Sequence, residues 1–217
     1  MTQNPDKNIK TIGIPSEEEI RQAQLDFSPR CTSAGRVNDK ETQKMVQYIL
    51  NFARKHSLFV LAYGTGCGAI EIPATMTSRY DAERFGIRGA ATPRQADVLM
   101  ITGYLSTKTL KRVIRVYEQM QDPKYVIAFG SCTINGGMYF DSYNTIKALD
   151  RYLPVDVYIA GCMPRPESVI KGFMKLQELI QNGNAGGGKC YRDNLDWYRA
   201  NQQKVIKNWD FPDEYNW

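Results

Sequence analysis

The sequence predicts an α/β fold, with a parallel β-sheet flanked by helices. Four short apolar runs recur along the middle of the chain, and each is followed by a glycine, as is typical of buried strands bounded by turn residues. Helical stretches lie between these runs, and such alternation indicates parallel strands joined by helices. The predicted strands are residues 58–63, 96–102, 125–129 and 155–160.

The predicted helices follow from apolar residues spaced three and four positions apart. Residues 40–55 carry Met45, Ile49, Leu50 and Phe52 on one face, which predicts a helix that packs on a core. Three further helices are predicted, over residues 106–121, 142–152 and 166–180.

The chain divides into three parts by composition. A polar N-terminal arm, residues 1–39, precedes the central domain, residues 40–182, and an aromatic C-terminal docking tail, residues 183–217, follows it. The glycine-rich stretch 183–188 predicts a flexible break between the last two. The tail holds all three tryptophans, and the sequence leaves open whether it packs on its own domain or docks on a partner.

The composition excludes several classes of protein. Hydrophobic residues make up 42% of the 217 and charged residues 24%, which rules out a fully disordered or fibrous chain. The net charge of +5 is mild, so we expect no nucleic-acid partner. The longest apolar run, residues 58–62, is far shorter than the roughly 20 residues of a membrane-spanning helix. The first residues lack an apolar stretch, so we expect no secretory signal and a cytoplasmic location.

Histidine chemistry is nearly excluded, because the chain holds a single histidine, His56, near the end of the first predicted helix. Zinc sites built on histidine and catalytic Ser–His or Cys–His pairs would all depend on it. The five cysteines are an odd number, and without an export signal they argue against a disulfide framework. We therefore expect the thiols to be either buried side chains or metal ligands.

Three cysteines occupy the same kind of position in the predicted sheet. Cys67, Cys132 and Cys162 each follow the end of a predicted strand through a glycine-containing turn. The carboxyl ends of parallel strands share one edge, where ligands bind in open α/β sheets, so these thiols are expected to converge. Glycine lets the backbone approach a bulky inorganic group closely. Three small buried cysteines with no ligand are the alternative.

The spacing of the thiols favours one kind of metal centre. A structural zinc site usually takes four closely paired ligands, and the sequence has no Cys-x2-Cys pair. An iron–sulfur cluster accepts widely separated cysteines, and its iron favours thiolate ligands. A [4Fe–4S] cluster is therefore the favoured occupant. A phosphate-binding loop is not supported, because residues 130–137 lack the Gly-Lys-Ser/Thr ending.

Five segments of the chain form long motifs in a characteristic order. They are GTGCGAIE (64–71), SRYDAERFG (78–86), TPRQAD (92–97), GSC (130–132) and VDVYIAGCMPRPE (155–167). These segments resemble the PSST subunit of respiratory complex I, whose family is similar to the small subunits of [NiFe] hydrogenases, and the resemblance covers roughly residues 58–181.

The resemblance implies a flavodoxin-like subunit that carries the terminal [4Fe–4S] cluster of an electron-transfer chain. It implies three kinds of partner: a hydrogenase-large-subunit-like protein, a ferredoxin-like iron–sulfur subunit, and ion-pumping membrane-arm subunits. The protein would then be peripheral, on the cytoplasmic face of the cell membrane. By match to the motifs, the cluster ligands are Cys67, Cys132 and Cys162. Arg84 and Phe85 would line the side that faces the large subunit.

One departure from the family pattern affects the cluster. Complex I members carry two adjacent cysteines in the first motif, whereas here the second position is Gly68. The fourth ligand could be Cys31, Cys190 or Glu71, or the cluster could lose one iron and become [3Fe–4S]. We favour a fourth alternative, an iron left open next to Gly68 that binds water or an exogenous sulfur species.

An open iron changes the expected electron acceptor. We expect the protein to be part of a multisubunit oxidoreductase, inactive on its own, that passes electrons to sulfane sulfur or polysulfide, as the related archaeal membrane complexes do. Arg84 and Arg165 are candidate cations near the cluster. A quinone-reducing or hydrogenase-type complex is the first alternative, and a cluster-free docking scaffold is the second.

Overall fold

The structure, a computed structural model, describes residues 40–206. Within that range the strands are β1 (Leu58–Gly64), β2 (Ile87–Gly89), β3 (Val98–Thr102), β4 (Leu105–Ser106), β5 (Tyr125–Phe129), β6 (Thr145–Ile146) and β7 (Val157–Ile159). Five of them form a sheet in the order β2–β1–β3–β5–β7, and every neighbouring pair is parallel. Counted within this sheet, the order is 2-1-3-4-5, which is the flavodoxin-like order. The predicted fold class is therefore confirmed.

Helices cover both faces of the sheet. The α-helices are α1 (Lys40–Lys55), α2 (Gly68–Met76), α3 (Thr107–Gln119), α4 (Ser131–Asn135), α5 (Pro166–Gln181), α6 (Gly187–Asp193) and α7 (Leu195–Val205). Short 3-10 helices span Ala82–Phe85, Pro93–Gln95, Gly137–Tyr139 and Leu149–Arg151. The helices predicted over 40–55, 106–121 and 166–180 are present as α1, α3 and α5. Helix α6 begins at Gly187, within the stretch for which the sequence predicts a flexible break.

Two hydrophobic clusters hold the layers together, one on each face of the sheet. Along β3, Leu99 and Ile101 join the cluster formed with α3, α6 and α7. Val98 and Met100 join the cluster formed with α2 and α5. Successive side chains of a strand point to opposite faces, and a strand covered on both faces therefore needs an unbroken apolar run. The run in β3 is fully buried, which places its ends on a rigid frame.

One predicted helix is wrong. Residues 142–152 form no α-helix; instead the short strand β6 pairs antiparallel with β4, and a 3-10 turn follows. The side chains of Ile146 and Leu149, three residues apart and both buried, mimic a helical face in the sequence. The same spacing is satisfied here by one strand residue and one 3-10 residue that reach the same cluster.

The packing predicted for the first helix is also wrong. Helix α1 is present, but the side chains of Met45, Ile49, Leu50 and Phe52 are between 44% and 63% exposed. A boundary between two units of the chain falls inside this helix, between Val46 and Gln47. The second unit contains the whole of the five-stranded sheet.

The described part of the C-terminal tail packs on the sheet domain. Tyr191 of α6 and Tyr198 of α7 are buried in the cluster beside α3. The carboxylate of Asp156 accepts hydrogen bonds from the backbone N–H groups of Val126, at 2.9 Å, and Gly187, at 3.1 Å. This side chain therefore connects β5 to the start of α6. The N-terminal arm, Trp209 and Trp217 lie outside the described residues.

Candidate iron–sulfur site

The three predicted cysteines meet at the carboxyl edge of the sheet. Cys67, Cys132 and Cys162 all line one cavity of about 390 Å³. Its other lining residues are mostly glycine and apolar side chains: Gly66, Gly68, Gly103, Tyr104, Phe129, Gly130, Ser131, Met138, Tyr139, Gly161, Met163 and Pro164. A ligand held by these thiols would contact backbone and uncharged side chains.

The register of the sheet explains why the thiols converge. Gly64, Thr102, Phe129 and Ile159 are paired in one row across β1, β3, β5 and β7. Each cysteine is the third residue after its strand's member of this row. Three equal offsets from one row bring residues about 30 and 65 positions apart to the same edge of a twisted parallel sheet.

The loop that carries Cys67 begins at the point where the strand order reverses, between β1 and β3. There the backbone N–H of Thr65 donates to the carbonyl oxygen of Thr102 at 3.2 Å, and the Thr65 hydroxyl donates to the carbonyl oxygen of Tyr104 at 2.8 Å. Gly66 has a φ of 62°, a conformation that glycine adopts without strain. These contacts place Cys67, an exposed residue, at the N-cap of α2.

The start of α4, which carries Cys132, and the loop that carries Cys162 are hydrogen-bonded to each other. The backbone N–H of Gly130 donates to the carbonyl oxygen of Ile159 at 2.8 Å, and that of Ser131 donates to the carbonyl oxygen of Gly161 at 2.9 Å. Gly161 has a φ of 144°, and a Cβ atom there would lie 2.9 Å from the backbone of Pro164. The two thiols are therefore held on a common support, with Cys132 partly buried and Cys162 exposed.

The Cys132 thiol is affected by burial and by its neighbours. Burial is the largest effect on Cys132 and raises the pKa of its thiol. The backbone N–H of Met138 lowers that pKa, while Cys162 and Cys67 raise it. Because metal ligation requires the thiolate, a positive centre among these three sulfurs would reverse the shift.

The arrangement fits a cluster better than a single ion. Within the described residues, no three His, Cys, Asp or Glu side chains are close enough to hold one metal ion. In a cubane each thiolate binds a different iron, so its cysteines stand further apart than the ligands of one ion. The three thiols line one cavity with glycines beside them, which suits a group held by several cysteines.

Gly68 has a packing role in addition to the one expected from the sequence, which is to leave space beside the fourth iron. A Cβ atom at position 68 would lie 2.6 Å from the Cβ of Thr102 and 3.0 Å from the ring of Phe129. The room for a side chain at this position is therefore already filled by β3 and β5. Gly68 lets the first turn of α2 pack against the sheet.

The candidate fourth ligands are absent from the cavity wall as far as the chain is described. Glu71 and Cys190 do not line the cavity. Cys190 lies in α6, where its sulfur accepts a hydrogen bond from the Asn194 side chain at 3.7 Å. Cys31 lies outside the described residues.

The two candidate cations also lie away from the cavity wall. Arg84 stands over the ring of Phe85 at 4.8 Å, an attraction between a cation and an aromatic face. Arg165 is exposed at the N-cap of α5. Neither arginine lines the cavity, and Phe85 does not line it either.

Sequence reasoning missed the aromatic wall of the cavity. Tyr104 and Tyr139 both line it, and their ring centroids are 4.7 Å apart. Met138 and Met163 lie beside them with exposed side chains. Each tyrosine follows a glycine turn after a strand or a cysteine loop, and that position was the available signal.

The fold and the site define a flavodoxin-like α/β protein with a thiol-lined cavity at the carboxyl edge of its sheet. The profile of the family described as NADH ubiquinone oxidoreductase, 20 Kd subunit, matches residues 64–176. The chain belongs to this family, as its motifs had indicated, and so to a family of subunits of multisubunit oxidoreductases.

Curated relatives agree with this assignment. An NADH-quinone oxidoreductase subunit of Chlorobium phaeobacteroides is 49% identical over 142 residues, which cover 65% of this chain and 75% of the relative. An F(420)H(2) dehydrogenase subunit of Methanosarcina mazei is 43% identical over 150 residues, covering 69% and 82%.

A solved structure is more similar in sequence. A chain of the membrane-bound sulfane sulfur reductase, described as an archaeal respiratory membrane complex, is 58% identical with a TM-score of 0.72. The match covers 74% of this chain and 91% of that chain. Across residues 40–206, none of the helices has the length and apolar character needed to span a bilayer.

Proposed function

We propose that this protein is the electron-transfer subunit of a membrane-bound, complex I-related oxidoreductase and holds a terminal [4Fe–4S] cluster. The observation that carries the proposal is the convergence of Cys67, Cys132 and Cys162 on one glycine-lined cavity. As thiolates these residues would hold three irons, and the glycines around them allow close approach of the backbone. When bound, the cluster supplies one-electron transfer and, at an iron without a protein ligand, a Lewis-acidic position for sulfur.

We infer that the electron acceptor is sulfane sulfur in the form of polysulfide. Two observations support this: Gly68 stands where complex I members carry a fourth cysteine, and the chain is 58% identical to a chain of a sulfane sulfur reductase. The reduction breaks one terminal S–S bond. A polysulfide dianion takes two electrons from a reduced iron–sulfur protein and one proton from water, and yields hydrosulfide and a dianion shorter by one sulfur.

The proposed partners follow from the family and from the surface around the cavity. They are a hydrogenase-large-subunit-like protein, a ferredoxin-like iron–sulfur subunit that delivers electrons, and membrane-arm subunits that fix the complex to the cytoplasmic face of the membrane. Met138 and Met163 on the cavity wall have exposed side chains, and so does Ile70, two residues after Gly68. Exposed apolar patches of this kind mark protein interfaces, which supports coverage of the cavity by the large subunit.

A spectroscopic experiment on the intact complex tests this function. The complex is purified without oxygen and reduced, and its electron paramagnetic resonance spectrum is recorded with and without polysulfide. We expect the g-values of the iron–sulfur signal to shift on addition of polysulfide, beyond the loss of intensity that reoxidation causes, because an exchangeable iron ligand alters the spectrum. A signal that polysulfide leaves unchanged would contradict the open iron, and a colourless complex without any signal would favour a cluster-free scaffold.

A quinone-type acceptor is the second candidate, because the chain is 49% identical to an NADH-quinone oxidoreductase subunit. Outer-sphere transfer to a quinone needs no open iron. Oxidation of the reduced complex by a soluble quinone, with no response to polysulfide, would favour this candidate.

A further inference from the structure

Two tyrosines form a paired aromatic wall next to the thiols. The ring centroids of Tyr104 and Tyr139 are 4.7 Å apart, with the planes tilted by 49°. Both side chains line the cavity of Cys67 and Cys132 and are about two-fifths exposed, at 40% and 43%. Both side chains are therefore partly accessible from the cavity.

The backbone fixes this pair between two of the cysteine loops. The Tyr104 carbonyl oxygen accepts a hydrogen bond from the Thr65 hydroxyl at 2.8 Å, and a Cβ atom at Gly66 would lie 3.4 Å from the Tyr104 ring. Tyr139 ends the 3-10 helix after Cys132, where its N–H donates to the carbonyl oxygen of Gly136 at 2.9 Å. The rings are thus held from the Cys67 side and from the Cys132 side.

The chemistry of the wall suits a chain of sulfur atoms. Among the described residues, no Lys, Arg, Asp, Glu or His lines the cavity. The charge of a polysulfide is concentrated on its terminal sulfurs, whereas the inner sulfurs are uncharged and polarizable. Divalent sulfur makes favourable contacts with aromatic rings, so the two tyrosines match the inner part of the chain.

We propose that Tyr104 and Tyr139 form the polysulfide subsite of this chain and hold the inner sulfurs through their rings while a terminal sulfur reacts. The inference depends on the proposed function and extends it by naming the side chains that bind the substrate. The rings are taken as the binding groups because both side chains line the cavity and divalent sulfur makes favourable contacts with aromatic rings.

The test is a titration of the intact complex with sodium polysulfide under excess electron donor. The rate of hydrosulfide formation gives the half-saturating concentration, and the paramagnetic resonance spectrum reports the cluster. Tyr104→Leu and Tyr139→Leu each keep an apolar side chain but remove the ring. We expect each to raise the half-saturating polysulfide concentration about two- to tenfold, the range that corresponds to one sulfur–aromatic contact. Each variant is compared with its own spectrum recorded without polysulfide, which shows whether the cluster is retained.

Three controls make the test specific. Tyr143→Leu removes a fully exposed ring that does not line the cavity and should leave the titration unchanged. Tyr104→Phe and Tyr139→Phe keep the ring and should also behave like the wild type. Two separate positions are used, so that failure of one variant to assemble leaves the other as the test.

Two results would overturn the subsite. One is an unchanged half-saturating concentration in a leucine variant that retains the cluster signal. The other is an equal shift in the phenylalanine variants, which would assign binding to the hydroxyl groups. A wild-type spectrum that polysulfide does not alter would reject the proposed acceptor itself, and the two failures are thereby distinguished.

Discussion

Gly68 is the residue at which packing and the missing cysteine coincide. A Cβ atom there would overlap the Cβ of Thr102 at 2.6 Å, and this neighbour belongs to a buried strand that cannot move freely. Gly68→Ala is expected to lower the free energy of unfolding by about 1–3 kcal/mol, the usual effect of overpacking. Thermal melts of the purified chain, followed by circular dichroism, measure this.

Gly89→Ala is the matched control, because a Cβ atom at Gly89 meets nothing within 4 Å. Its melting temperature should be equal to or higher than that of the wild type. Equal stability of Gly68→Ala and Gly89→Ala would show that the start of α2 has room for a side chain.

The three ligand candidates could be predicted from sequence, because each follows a strand whose apolar run and terminal glycine are local signals. The register row that brings Gly64, Phe129 and Ile159 together then follows from the parallel pairing. The Tyr104–Tyr139 pair could not be predicted, because its contact depends on the paths of two loops.

At the scale of elements, α6 is held to the domain by the side chain of Tyr191. This residue is 5% exposed, and its ring lies edge-on to Tyr117 at 5.1 Å and close to Tyr198 at 5.0 Å. Tyr191→Ala should lower the free energy of unfolding by about 3–5 kcal/mol, as loss of a large buried ring does. Chemical denaturation of the purified chain gives this value.

Trp197→Ala removes a larger ring from the neighbouring helix, but that ring is 53% exposed. Its effect should be much smaller than that of Tyr191→Ala. A similar loss of unfolding free energy in both variants would contradict this. It would mean that burial in the core does not determine how much each aromatic ring stabilises the protein.

Asp156, which accepts a hydrogen bond from the N–H group at the start of α6, makes the stability of the protein depend on pH. Burial is the largest effect on this carboxyl group and raises its pKa above 3.8, while hydrogen bonds from the Val126 and Gly187 N–H groups lower it. The folded state then binds more protons than the unfolded state at pH values just above 3.8. Asp156 therefore stabilises the folded state most at pH values below 3.8, and this contribution decreases as the pH rises through the raised pKa.

Asp156→Asn removes this titration. The melting temperature of the wild type minus that of the variant should therefore decrease as the pH rises from 3.8. Melts at a series of pH values measure it. A difference that stays constant, or that grows with pH, would contradict the raised pKa.

Elements with strong local patterns could be predicted from the sequence, and short ones could not. Strand β2, Ile87–Gly89, could not be recognised because three residues with an exposed Arg88 carry too little pattern. Strand β6 could not be recognised either, because it depends on pairing with Leu105–Ser106, a tertiary contact that the local sequence does not show. In sequence its residues resemble part of a helix. In both cases the partner strand, rather than the segment itself, determines the structure.

For the molecule as a whole, the central claim is that a parallel sheet brings three distant thiols to one edge, where they hold a cluster. The strand order and the register account for the convergence of Cys67, Cys132 and Cys162. Cys190 lies elsewhere in the fold, in α6, and is exposed. It therefore provides a matched control for the removal of a thiol.

The most direct measurement is the iron and sulfide content of three anaerobically purified chains, together with their paramagnetic resonance spectra. The chains are the wild type, Cys132→Ser and Cys190→Ser. We predict about four irons and four sulfides per chain in the wild type and in Cys190→Ser. Cys132→Ser should lose the signal and most of the iron while its circular dichroism is unchanged. Full iron content and an unaltered signal in Cys132→Ser would contradict the account.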